Sequence, residues 1–164
     1  MCIRDSFYAN QPPWTAIRYR EQTIKESIPE FILRMWNVYS FFVLYANIDE
    51  FDPVSISDPS DLAAEQLASG NGYRPIAERG ELDPWIISEL NRTLTGVVEK
   101  MDTYDNYGAA SAINQFVDVL SNWYVRRSRD RFWAGDKQAP EKLDAYWTLF
   151  ELSLIHISEP TRPY

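Results

Sequence analysis

Apolar side chains recur every three or four residues along most of this chain, and no stretch alternates with period two for long. That spacing lines one face of a helix and gives a strand no face to bury. From about Tyr19 to Ile48 the stripe runs through Ile24, Ile28, Phe31, Ile32, Met35, Val38, Tyr39, Phe42 and Tyr45. Pro29 either kinks this run or opens a second helix. Asp83-Pro84 predicts a further helix start, an acidic N-cap followed by Pro at the first helical position. That helix runs to about Met101, with Trp85, Ile86, Leu90, Leu94 and Val97 inward. Residues 103–106 read as a turn. A long helix follows from about Tyr107 to Trp133, and Gly135-Asp136 ends it. Pro140 opens a last helix, with Leu143, Tyr146, Trp147 and Phe150 as its apolar positions. The sum is an all-α fold, an antiparallel helical bundle with one long irregular linker.

The linker-like stretch spans residues 49–82. Asp49, Glu50, Asp52, Asp58, Asp61 and Glu65 precede any base, and Pro53, Pro59, Gly70, Gly72, Pro75 and Gly80 punctuate it. A short helix over 60–68 is expected there, and loop elsewhere. The acidic run reads as a solvated surface.

Composition narrows the function. The 164 residues are 45% hydrophobic and 24% charged, enough for one core, in a single domain or a piece of a larger one. A formal charge of −8 excludes a wholly basic nucleic-acid binder, though not a local basic patch. No apolar run approaches the roughly 20 residues of a membrane helix. One Cys, Cys2, and one His, His156, allow neither an internal disulfide nor a Cys/His metal cluster.

Both of those residues lie in end segments with an unusual property. Back-translated, residues 152–164 and residues 1–6 are compatible with one short inverted DNA sequence. It resembles a transposase adapter used in library preparation. Residues 1–6 and 152–164 are therefore expected to be translation artefacts, and 7–151 native.

Between Asn122 and Trp133 the chain reads Asn-Trp-Tyr-Val-Arg-Arg-Ser-Arg-Asp-Arg-Phe-Trp. Four Arg and one Asp fall within residues 126–131, a local charge of +3. Guanidinium groups suit bidentate phosphate contact and stacking on bases, and the interleaved aromatics suit RNA. At about 100° per residue, the inward stripe Ile113, Phe116, Val117, Leu120 and Tyr124 continues through Arg127 and Arg131. These two are expected to be structural or RNA-binding, and Arg126, Arg129, Trp123 and Trp133 to be the RNA-contacting set. A solvated helix face with ion pairs is the competing reading.

Catalysis has little to work with. The native segment offers no His or Cys as acid, base or nucleophile. Asp102 and Asp105 flank a turn, where capping is the simpler role. There is no Walker loop and no dinucleotide fingerprint.

Three runs carry a family resemblance. Arg34 to Asp49 is similar to isoleucyl-tRNA synthetases just beyond their catalytic domain. Leu82 to Asn91 resembles the start of their anticodon-binding bundle. Tyr104 to Gly108 and Phe116 to Trp133 resemble its long helix, and Pro84 departs from a usually basic position. The resemblance covers nearly all of residues 7–151. It implies a class I ligase that uses ATP, with Mg, to attach isoleucine to its tRNA in the cytoplasm. The ATP-binding motifs, the editing domain and any zinc module are missing here, so the fragment is expected to be inactive alone and to hold no cofactor. The implied organisation is a junction helix over 7–52, a linker over 53–82, and an incomplete anticodon-binding bundle over 83–151. The implied partners are the isoleucine tRNA and the family's own catalytic domain, with no membrane. A protein-interaction module with an Arg-rich patch and a valyl, leucyl or methionyl sister enzyme are the alternatives.

Overall fold

The computed structural model describes residues 12, 14–16, 31–51, 53 and 72–157, with backbone alone for 154–157. The expected break at Pro29, the helix over 60–68 and the segments 1–6 and 158–164 lie outside the described residues. Helices and turns make up the rest, with no strand among the described residues. In chain order they are α1 (Leu33–Asp49), a 3₁₀ turn (Ile76–Glu78), α2 (Leu82–Asp102), α3 (Asn106–Val119), a π turn (Leu120–Val125), α4 (Arg126–Trp133) and α5 (Pro140–Ile157). The all-α reading of the periodicity is what the structure contains. The described residues form two compact units.

The first unit comprises the described part of residues 1–39 together with 88–126. Val38, Leu90, Ala109, Phe116, Val117, Leu120, Tyr124 and Val125 are buried in it. Leu94, read as inward, is exposed, as are Ile32 and Tyr39 of the α1 stripe. Regular spacing marks a face wider than the core these helices cover. The turn before α3 is built by Asp105, whose carboxylate accepts a hydrogen bond from the Gly108 N–H at 2.9 Å. This is an N-cap, which settles the role of that carboxylate. A Cβ at Gly108 would stand 2.1 Å from the Asp105 carboxylate, so a larger residue there would push the capping side chain aside. Arg34 pairs with Asp118 at 2.7 Å, and Asp118 also accepts from Asn122 at 2.8 Å.

The second unit comprises the described parts of 40–87 and 127–164. Its centre is α5. Tyr146, Trp147, Leu149 and Leu152 are buried there, and so are Lys142, Asp144 and Thr148. Phe51 stacks on Tyr146 at 4.9 Å, and Trp147 meets Tyr73 edge-on at 5.2 Å. Burying side chains of this size contributes roughly 1.5–3 kcal/mol each.

Among the described residues, every buried charge on α5 has a partner. Lys142 pairs with Asp49 at 2.7 Å and also donates to the Ala134 carbonyl at 3.0 Å. Tyr146 donates its hydroxyl proton to the same Asp49. Arg74 grips Asp144 with two nitrogens. Arg79, its side chain fully buried, forks onto Glu151 at 3.0 and 2.7 Å and donates to Thr148. Unpaired, any of these ions would be strongly destabilising, because burial strips its hydration.

Two expectations are corrected here. Asp49, read as part of a solvated acidic run, is almost wholly enclosed. Residues 72–80, read as loop, are packed structure: Tyr73, Arg74 and Arg79 all engage α5. Gly72 turns the chain into this segment at φ +67°, and a Cβ there would collide with Leu143 at 2.4 Å. The composition of 49–82 signals turns and charge, and it does not say that the charges have buried partners.

Helix α2 begins at Leu82, one residue before the predicted cap, so Pro84 lies in the first turn, where its missing N–H has no intrahelical partner to lose. Asp83 sits fully buried in that turn and Ile86 packs inward, whereas Trp85, read as inward, is exposed.

Candidate nucleic-acid interface

The arginine cluster is carried by one run of helical backbone, from Asn106 through the π turn to Trp133. The π turn decides which arginines face out. An α-helix advances about 100° per residue and closes its ring at i−4. A π turn closes at i−5 and so takes up one extra residue. Everything after Leu120–Val125 is therefore turned back by about one residue step. The buried positions record it. Phe116, Val117, Leu120 and Tyr124 follow the expected stripe, and the next buried residues are Val125, Ser128 and Phe132. Arg127 and Arg131 do not continue the stripe.

This corrects the helical-face assignment of Arg127, whose side chain is exposed. Arg131 is half-buried at the flank of the buried face. Its two terminal nitrogens bind the Asp83 carboxylate at 3.0 and 2.7 Å, and its Nε donates to the Glu141 carbonyl at 2.9 Å. That is a structural position.

Arg126 and Arg129 are exposed, and neither makes an ion pair among the described residues. Trp123 and Trp133 are more than half exposed. Arg126 and Trp123 belong to the first unit, and Arg129 and Trp133 to the second. Within each unit, an exposed guanidinium can hold phosphate oxygens and an exposed indole face can stack a base. Tyr45 accepts the Trp133 indole N–H at 2.7 Å, a contact that sequence spacing gives no sign of. Among the described residues, no group of three or more His, Cys, Asp and Glu is placed to hold a metal ion. No described helix is long and apolar enough to cross a membrane.

From Asp83 to position 158 the chain matches the family model described as the anticodon-binding domain of tRNA ligase. Residues 83–158 belong to the anticodon-binding domain family of tRNA ligases. The relatives extend the match to nearly the whole chain. It is 42% identical to an isoleucine–tRNA ligase of Dehalococcoides mccartyi over 164 residues, covering 99% of this chain. An isoleucine–tRNA ligase of Bacillus thuringiensis is 38% identical over 162 residues, and one of Clostridium novyi is 36% identical over 160. The chain spans about 14% of the length of each of these relatives. It is homologous to a fragment of isoleucine–tRNA ligase, and the anticodon-binding domain provides the arginine-bearing helix.

Proposed function

We propose that this chain is the tRNA-binding part of a cytoplasmic isoleucine–tRNA ligase, and that its anticodon-binding domain holds the isoleucine tRNA. The observation that carries the reading is the exposure of Arg126 and Arg129, without ion pairs among the described residues, on the long helix of a domain of this family. In a chain of charge −8, two such guanidinium groups are the natural place for a phosphate backbone. Trp123 and Trp133 add aromatic surface for unpaired bases.

The full-length ligase joins isoleucine to the tRNA with ATP and magnesium. None of the residues here is assigned to that chemistry, and the remainder of the ligase, including its catalytic domain, is the intramolecular partner. Without the groups that position ATP, the chain alone does not form the adenylate. Isoleucine-dependent exchange of pyrophosphate into ATP above background would contradict this.

The binding test is competition. Isoleucine tRNA should bind the chain, and should keep an advantage over other tRNAs when heparin is added. An acidic protein displacing tRNA without any tRNA preference would favour the protein-interaction reading instead.

A further inference from the structure

The first turns of α1 belong to the first unit, and two contacts fix which side of them faces inward. Val38 is buried, and Arg34, four residues earlier, pairs with Asp118 at 2.7 Å. At about 100° per residue, Trp36 falls on the opposite side from both, with Tyr39 beside it. Their rings lie 6.1 Å apart. Leu33, three residues before Trp36, extends the same surface. Trp36 is 62% exposed, Tyr39 51% and Leu33 49%.

This patch carries no charge. Between Ile32 and Ile48 the sequence has a single charged residue, Arg34, and its guanidinium is engaged by Asp118. Large apolar and aromatic side chains without charge are the composition of an interface core. RNA fits this surface poorly, because a phosphate would meet only a guanidinium that is already paired.

Size separates a free partner from a tethered one. A stable interface between separate proteins takes about 20–30 residues a side, and three side chains fall far short of that. Within one polypeptide the covalent link supplies a high effective concentration, so a small apolar contact suffices. The chain spans about 14% of the length of its relatives, so most of such a ligase lies outside it. A second copy would instead bring together two chains of charge −8.

We propose that Leu33, Trp36 and Tyr39 form a docking patch for the remainder of the ligase polypeptide, which covers them with uncharged apolar side chains. The inference rests on the reading of this chain as part of a larger ligase and adds the surface through which that part is held.

Hydroxyl-radical footprinting, read by mass spectrometry, compares the isolated chain with the complete ligase. Trp36 and Tyr39 should oxidise readily in the chain and several-fold more slowly in the ligase, whatever the protein concentration. This readout needs no variant. Leu33→Ser combined with Trp36→Ser should lower the melting temperature of the complete ligase more than that of the isolated chain, where both side chains already meet water. Trp36→Phe keeps an apolar ring and should lose little in either. Equal oxidation of Trp36 and Tyr39 in chain and ligase overturns the patch. Protection that appears in the chain alone as its concentration rises assigns the surface to a second copy and also overturns it. Protection of the isolated chain by isoleucine tRNA, or weaker tRNA binding by the folded double variant, puts RNA there and does the same. A parent chain that binds no tRNA overturns the RNA-binding reading instead, and the footprint still decides the docking.

Discussion

Asp83 and Arg131 stand 48 residues apart in the chain and meet in a two-pronged ion pair, at 3.0 and 2.7 Å. The Asp83 side chain is fully buried and that of Arg131 is 15% exposed. The pair ties the first turn of α2 to α4. Removing one partner of a buried pair costs about 3–5 kcal/mol, because the other charge is left without compensation. Arg131→Ala strands the more deeply buried ion, so it should lie at the upper end of that range and Asp83→Ala at the lower. Arg127→Ala should destabilise less than either. Urea denaturation of the three variants checks the order. A loss for Arg127→Ala equal to that of Arg131→Ala would contradict the register shift at the π turn.

Acid should loosen the second unit through Asp49. Burial pushes this carboxyl up, but hydrogen bonds from Lys142 and Tyr146 and the charges of Lys142 and Lys137 outweigh it and hold it below its ordinary value of 3.8. Burial and the same carboxylate push the Tyr146 phenol far up, so it stays protonated as the donor. A depressed carboxyl stabilises the fold above its unfolded pKa of about 3.9 and loses that contribution as pH falls through the lower folded value. Asp49→Asn should therefore melt below the parent near neutral pH, and the gap should narrow below about pH 4. A gap independent of pH would count against the pairing.

The salt dependence of tRNA binding should separate Arg126 and Arg129 from Arg131. Each phosphate contact contributes about 0.7–0.9 to the log–log salt slope. In the complete ligase, Arg126→Ala with Arg129→Ala should weaken tRNA binding, flatten that slope by roughly one contact each and leave the melting temperature nearly unchanged. Weaker binding with an unchanged slope would show that neither guanidinium meets a phosphate.

Ser128 offers a test of packing. It is fully buried, and its hydroxyl has no hydrogen-bond partner among the described residues. An unsatisfied buried hydroxyl costs about 1–3 kcal/mol. Ser128→Ala removes that cost and opens only a small void, so stability should hold or rise by up to about 1–2 kcal/mol. A fall of similar size would mean that the hydroxyl is bonded in solution.

Much of the fold is local, and local signals are legible. The spacing of apolar residues predicts α1, α2, the long helix and α5 because a helix repeats every 3.6 residues whatever surrounds it. Pro140 at the start of α5 and the cap at Asp105 act through their own backbone, so they too can be read from a few neighbouring residues. The arginine cluster is visible as a composition, and so is its chemistry.

Its geometry is another matter. Which arginines face solvent depends on one extra residue taken up at Leu120–Val125, and a stripe drawn at constant pitch passes straight over it. The same limit applies to every charge judged by its neighbours in sequence. Asp49 and Arg79 look like surface residues of an acidic, turn-rich stretch, yet each is held by a residue of α5, Lys142 and Glu151. Burial of an ion is decided by whether a partner arrives from far along the chain, and only the tertiary structure brings that partner. The sequence by itself therefore determined the helices and the chemical character of the candidate site; tertiary packing decided which charges are structural and which remain for a ligand.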